Sequence, residues 1–351
     1  MTTITLTQLG KTFGDQVALQ GIDLEFPSGS FVVLLGPSGC GKTTTLRMLA
    51  GLEEPTRGTI RFGDRVVANG DTGTSVAAEK RGLGMVFQSY ALWPHMSVRT
   101  NIEWPLRVAG WSAADRSTRL DEVLRMLDIV ALADRYPAEI SGGQQQRVAI
   151  ARTIASRPQV LLFDEPLSNL DARLRVETRA ELAQVHRATG GTSVYVTHDQ
   201  VEALALATHI AVMRDGRVEQ FGPPEDLLNH PATAFVASFL GTPPNVLLEG
   251  EVRDGALVRN GVRLSDASEN GRMLHAMYRP QDVGLSADGT LPFDVVECTP
   301  LAGRYVVSGF TSGDRVSVVT DSFVAAGTAT RLVLPETPAA VFGADGARTH
   351  R

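Results

Sequence analysis

The chain lacks several features, and each absence removes a class of protein. Two cysteines, Cys40 and Cys298, are too few and too differently placed for a disulfide framework, which points to a reducing cytoplasm. No apolar run approaches the ~20 residues that a membrane-spanning helix needs. The start, Met1-Thr2-Thr3-Ile4-Thr5, has no basic segment followed by an apolar one, so no secretory leader is expected. There is no long basic block either, and the formal net charge is −6; a general nucleic-acid or anionic-membrane surface is therefore not expected. Lysine is scarce too, since Lys11, Lys42 and Lys80 are the only lysines among 33 Lys and Arg. At 351 residues with 43% hydrophobic content, the chain can bury sizeable cores and should divide into two or more domains.

What is present centres on one of those lysines. Gly36-Pro37-Ser38-Gly39-Cys40-Gly41-Lys42-Thr43 follows the apolar run Phe31–Leu35 and precedes a helical pattern beginning at Thr44. It fits G-x-x-x-x-G-K-[ST] in the strand, loop and helix setting that the chemistry requires. Glycines let backbone N–H groups close on phosphate oxygens, and the helix N-terminus adds positive potential. Lys42 would reach the outer phosphates and Thr43 would ligate Mg²⁺. Cys40, placed among these contacts, is expected to be alkylated with loss of activity and to be shielded by bound ATP.

Before the loop, residues 4 to 26 alternate like two paired strands around a turn at Phe13-Gly14-Asp15. Phe13 then lies near the phosphates, either as packing or as a ring that stacks on a nucleobase. After the loop, 58–62 and 65–67 predict a hairpin. Gly84–Phe87 predicts a short strand that ends at Gln88, where a neutral amide can touch a metal-bound water and a mobile segment. Tyr90 to Met96 is rich in large apolar groups, as local core or a docking groove would be. Residues 97 to 158 read as largely helical, with Leu120, Val123, Leu124 and Leu127 on one face. Ser141-Gly142-Gly143-Gln144 caps a long helix and forms a second phosphate-sized site, although a generic Gly-rich cap reads the same way.

Val160–Phe163 predicts a buried parallel strand ending in Asp164-Glu165, with Asp164 on Mg²⁺ and Glu165 orienting or deprotonating the attacking water. Ser168 to Asp171 precedes another helix, and Asp171 can serve there simply as its cap. Thr192–Val196 predicts a further strand that delivers His198. Four strands thus bring phosphate-competent residues to one sheet edge, where open α/β sheets bind ligands.

In these motifs the chain resembles the ATP-binding subunits of ABC transporters. Gly36 to Thr43 is similar to Walker A, Gln88 to the Q-loop, Ile140 to Gln144 to the signature, Val160 to Asp164 to Walker B, Ser168 to Asp171 to the D-loop and His198 to the switch histidine. Ile140 departs from the usual Leu of the signature. The resemblance implies an α/β P-loop ABC ATPase domain over 1–240, with a helical subdomain at about 89–158. It implies catalytic Glu165, His198 and Gln88, with metal contacts from Thr43, Gln88 and Asp164. Nucleotide would be bound by Phe13, Gly36, Pro37, Ser38, Gly39, Cys40, Gly41, Lys42, Thr43, Thr44, Ser141, Gly142, Gly143, Gln144 and Asp171, with ATP and Mg²⁺ as cofactors. It also implies a head-to-tail homodimer in which Ser141 and Gly143 serve the nucleotide on Lys42 of the other copy, and it makes Tyr90 to Met96 a docking groove for a membrane subunit.

Beyond Phe221, residues 227–240 read as a linking helix and 241–351 as short strands of a small, all-β, OB-like regulatory domain, close to the extension of maltose-type importer ATPases. Residues 344–351 read as a disordered tail. The partners implied are two integral membrane permease subunits and a periplasmic or extracellular solute-binding protein, with no nucleic acid. The implied location is the cytoplasmic face of the membrane. A sugar or sugar-like solute is expected, with ferric iron, polyamine or phosphonate uptake as alternatives and a soluble, non-transport ATPase or a regulatory partner as the rival class.

Overall fold

The computed structural model describes residues 2–267 and 270–349. The chain divides into two compact units, Met1–Pro224 and Glu225–Arg351. In the first, the strands are β1 (Ile4–Phe13), β2 (Gln16–Phe26), β3 (Phe31–Leu35), β4 (Arg57–Phe62), β5 (Arg65–Asn69), β6 (Thr74–Ser75), β7 (Leu83–Val86), β8 (Val160–Asp164), β9 (Thr192–Thr197), β10 (His209–Arg214) and β11 (Arg217–Gly222). The helices are α1 (Lys42–Ala50), α2 (Val98–Val108), α3 (Ala113–Met126), α4 (Gly142–Ala155), α5 (Ala172–Thr189) and α6 (Gln200–Leu206).

A six-stranded sheet runs β11-β10-β3-β9-β8-β7, parallel throughout except for the edge strand β11. Strands β3, β8 and β9 are buried along their whole length, as continuous apolar runs covered on both faces must be. An antiparallel sheet, β2-β1-β4-β5-β6, shares its core with the first: Ile4, Leu6 and Phe26 pack in one cluster with Val32, Leu34, Met48 and Leu162. The helical segment between β7 and β8 buries Val98, Ile102, Leu106, Leu120, Val123, Leu124 and Val148. Leu120, Val123, Leu124 and Leu127 therefore form the apolar face that their spacing predicts.

The second unit begins with α7 (Pro224–Asn229) and α8 (Ala234–Phe239), followed by β12 (Val246–Arg253), β13 (Ala256–Arg259), β14 (Val262–Asp266), β15 (Met273–Tyr278), β16 (Gly284–Ser286), β17 (Leu291–Leu301), β18 (Arg304–Thr311), β19 (Asp314–Thr320), β20 (Ala329–Val333) and β21 (Ala340–Phe342). These strands make two antiparallel five-stranded sheets, β14-β13-β12-β15-β21 and β16-β20-β17-β18-β19, around one core that includes Leu248, Tyr278, Phe293, Val307 and Val318.

Two expectations change here. The single helix over 227–240 is two helices, because Pro231 cannot continue the first and Thr233 caps the second by accepting from Val236 N. In α8, Ala237 packs with Met277, Ala340 and Phe342, so this helix falls with the second unit, ahead of the 240/241 boundary. The tail is ordered as far as it is described. Arg348 N donates to Ala232 O at 3.0 Å, Ala234 N to Gly346 O at 2.8 Å, and Thr349 N to Val341 O at 2.9 Å. Backbone pairing outweighs the polar, Gly-containing composition that suggested disorder, and residues 350–351 lie outside the described residues. Hydrogen exchange should accordingly find the amides of Arg348 and Thr349 protected; exchange at the rate of an unstructured peptide would contradict this.

Candidate nucleotide-binding site

The phosphate loop follows β3, and its glycines are fixed by what surrounds them. A Cβ on Gly36 would lie 2.2 Å from Met213 O and 2.8 Å from Cys40 Sγ; one on Gly41, where φ is 101°, would lie 2.5 Å from Leu19 Cδ2 and 2.9 Å from Ala18 O. The β1–β2 hairpin therefore abuts the loop. No side chain caps α1, which leaves its first N–H groups directed at the loop concavity. Lys42 is 6% exposed, and its Nζ donates to Gly36 O at 2.8 Å and Pro37 O at 2.9 Å. A phosphate oxygen would compete for the same donors with a full negative charge. Phe13 closes β1 at 47% exposure, with Lys11 Nζ 4.7 Å from its ring centroid, so the ring keeps one face available for stacking.

Asp164 ends β8 and is buried. Burial pushes its carboxyl above the ordinary value, the charge on Arg47 pulls it down, the neighbouring Glu165 pushes it up again, and a hydrogen bond from the Thr43 side chain lowers it. The Thr43 side chain thus lies beside Asp164, where the phosphate loop approaches the end of β8. A buried carboxylate whose compensation is incomplete is a natural cation ligand.

Glu165 has φ at 42°, a left-handed backbone that a non-glycine residue adopts only under constraint. Its N–H donates to Val196 O at 3.2 Å, and its Oε2 lies 3.4 Å from His198 Nδ1. His198 is exposed, but its backbone is gripped on both sides. Thr197 Oγ1 donates to Glu202 Oε2 at 2.7 Å and accepts from Asp199 N at 3.0 Å, while Tyr195 OH donates to the same Glu202 oxygen at 2.8 Å. Burial, then the Glu202 charge and bond, hold the Tyr195 phenol well above its ordinary range, so it stays a donor.

Gln88 follows β7 by one residue. Its Nε2 donates to Ser168 Oγ at 3.2 Å, its backbone carbonyl accepts from Asn169 Nδ2 at 3.0 Å, and Ser168 Oγ donates to Glu165 O at 2.9 Å. Gln88, Glu165 and His198 therefore form one connected edge. Arg175 extends it, donating to Leu170 O at 3.0 Å with NH1 3.6 Å from Asp199 Oδ2. Asp171 takes the cap role open to it, its Oδ1 accepting from Arg173 N and Leu174 N at 3.0 Å each.

The second glycine site stands apart. Ser141 and Gln144 form a reciprocal capping box on α4, with Ser141 N donating to Gln144 Oε1 at 2.9 Å. Among the described residues, no hydrogen bond or ion pair joins Ser141, Gly142, Gly143 or Gln144 to the phosphate loop. A Cβ on Gly142 would meet nothing within 4 Å, and one on Gly143 only Leu174, at ordinary contact distance. Nothing inside the chain requires glycine at these two positions.

Sequence reasoning missed Glu202, Arg175 and Arg47. Glu202 sits three residues after the α6 cap Asp199, where the pattern suggests a capping box; it turns instead to Tyr195 and Thr197. Arg47 and Arg175 carry no local signal among so many arginines.

A family profile described as ABC transporter matches residues 19–168. The sn-glycerol-3-phosphate import ATP-binding protein UgpC of Ruegeria sp. is 44% identical over 320 residues, spanning 91% of this chain and 90% of the relative. The trehalose/maltose import ATP-binding protein MalK of Thermococcus litoralis is 49% identical over 261 residues, covering 74% and 70% respectively. A solved dimeric ATP-binding cassette, in a post-hydrolysis state with ADP and phosphate, is 32% identical with a TM-score of 0.54, covering 63% of this chain and 98% of its own.

Cys40 requires a correction. It is 2% exposed within the core cluster, and burial pushes its thiol up, outweighing the pull of Lys42. Because the thiolate is the nucleophile, it should resist alkylation at neutral pH. Maleimide labelling followed by mass mapping should modify the half-buried Cys298 first, with Cys40 gaining only as pH rises; equal rates at pH 7 would contradict this.

Proposed function

Given that the chain belongs to the family of ABC transporter ATP-binding subunits, we propose that it hydrolyses ATP to power an importer of a sugar or sugar-like solute. The observation that carries this is the convergence of Lys42, Asp164 with Thr43 beside it, Gln88 and the Glu165–His198 pair on one edge of the parallel sheet. The solute class rests on the glycerol phosphate and trehalose/maltose importer relatives.

The chemistry follows from positions. Loop N–H groups and Lys42 hold the β- and γ-phosphates and offset the charge that spreads over the γ-oxygens in the transition state. Thr43 and Asp164 fit Mg²⁺, with Gln88 on the same sheet edge as a third ligand in the proposal. Mg²⁺ typically completes its shell with phosphate oxygens and water around one or two protein ligands. When bound, Mg²⁺ would neutralise charge between the phosphates. Glu165 accepts the proton of a water that attacks the γ-phosphorus as the bond to ADP breaks, and His198 fixes the orientation of its carboxylate.

The active unit in this proposal is a head-to-tail pair of chains. Open space at Gly142, and only ordinary contact with Leu174 at Gly143, supports it, because any closer approach there has to come from outside the chain. A cleft of about 1140 Å³ lined by Trp93, Trp104, Pro105 and Val108 supports docking of a membrane subunit. No helix among the described residues is long and apolar enough to cross a membrane. The importer relatives support a peripheral location on the cytoplasmic face, beside two permease subunits and an external solute-binding protein. Nucleic acid has no part in the proposal. The second unit, with its two antiparallel sheets, is proposed as an OB-like regulatory domain, functionally residues 241–351, and the nucleotide-binding domain as residues 1–240.

Glu165→Gln tests the chemistry. Phosphate release should fall by about 10²–10⁴-fold, the typical weight of a positioned base, while ATP binding persists. Wild-type turnover in that variant would remove the assigned role of Glu165.

A further inference from the structure

The chain has three tryptophans, Trp93, Trp104 and Trp111, all in or beside the helical segment. Trp93 and Trp104 meet edge to face, with centroids 6.3 Å apart at 63°, and both line the large cleft of the first unit. The backbone that delivers Trp93 is strained, since Tyr90 has φ at 62° and Ala91 at 49°, left-handed values at two consecutive non-glycine residues. The Tyr90 hydroxyl is buried with no hydrogen-bond partner. A segment of this kind persists only when something outside it holds it in place.

Arg152 does so. It lies in the last turn of α4 at 8% exposure, and its guanidinium donates to Tyr90 O at 2.9 Å and to Ala91 O at 2.6 Å. The same group sits 4.7 Å from the centroid of Trp93. No carboxylate pairs with it among the described residues; two carbonyls and a ring receive its charge, a use of the flat, five-donor fork that a lysine cannot reproduce. The other end of this segment is tied at Gln88 to Ser168 and Asn169. Residues 88–93 therefore form a strap between the nucleotide edge and the far end of α4.

We propose that Arg152 is a positioning residue that couples the position of helix α4 to the tryptophan wall of the cleft. The inference rests on the functional reading above, in which Ser141 and Gly143 at the start of α4 meet nucleotide held by a second copy. A helix of 14 residues is a rod about 21 Å long. When its start moves, Arg152 at its end must carry the Tyr90 and Ala91 carbonyls along or release them, and release would let the strained left-handed pair relax. Either way, Trp93 changes its environment.

Intrinsic tryptophan emission reads this directly, because all three reporters lie in that region. A non-hydrolysable ATP analogue with Mg²⁺ should change the emission of the full-length chain. Arg152→Gln should cut the amplitude at least about fivefold, in the range of ordinary site-to-site coupling, with ATP hydrolysis kept within about twofold, the size of a minor stability effect. Arg152→Lys guards against a folding effect: it should keep the unfolding temperature and hydrolysis yet lose most of the amplitude. Full amplitude in either variant overturns the inference, as does a wild-type chain that hydrolyses ATP with no change in emission. A wild-type chain that neither binds nor hydrolyses ATP overturns the functional reading itself.

Discussion

Four parallel strands hydrogen-bonded side by side, in the order β3, β9, β8, β7, set the dimensions of everything else. Neighbouring strands are about 4.8 Å apart, so the four carboxyl ends span roughly 14 Å. Along that edge the chain places the phosphate loop, His198, the Asp164-Glu165 pair and Gln88. Parallel pairing needs both faces covered, and the apolar burial of β3, β8 and β9 provides that. The rigidity of the edge in turn permits the exceptions on it: a left-handed Glu165, a buried Asp164 and an uncapped α1. Without the sheet, none of these would persist.

The loops beyond that edge are connected rather than independent. Ser168 touches both Gln88 and Glu165, and Arg175 touches Leu170 and Asp199, next to His198. A shift in residues 168–171 would thus be felt at Glu165, at His198 and at the start of the strap leading to Trp93. Glu202 works in the opposite direction, fixing Thr197 so that His198 keeps a defined origin although its ring is exposed.

Most of that edge was legible in the sequence because each strand ends in a residue type with a distinct chemistry at a fixed offset. Gly36 to Thr43, Asp164-Glu165 and His198 all lie where the apolar runs predict. The signature glycines were legible as a helix start, and the capping box of Ser141 and Gln144 is that start. What was not legible follows from long-range contact. Arg152 and Arg175 look like any other arginine until a carbonyl 62 residues away and a carboxylate 24 residues away arrive beside them. Cys40 looked reactive because the motif places it among the phosphate contacts, whereas in space it faces the core. The ordered 344–349 segment depends on pairing with residues 232–234 and 341–342, which composition does not report.

The central claim is that one chain holds two half-sites. Lys42 lies in one, Ser141 and Gly143 in the other, and open space beside Gly142 leaves room for a second copy. Sedimentation of the Glu165→Gln chain, in which bound ATP cannot be consumed, measures this most directly. With Mg²⁺ and ATP the account predicts the mass of two chains, reverting to one when ADP replaces ATP; a single chain's mass at saturating ATP would contradict it.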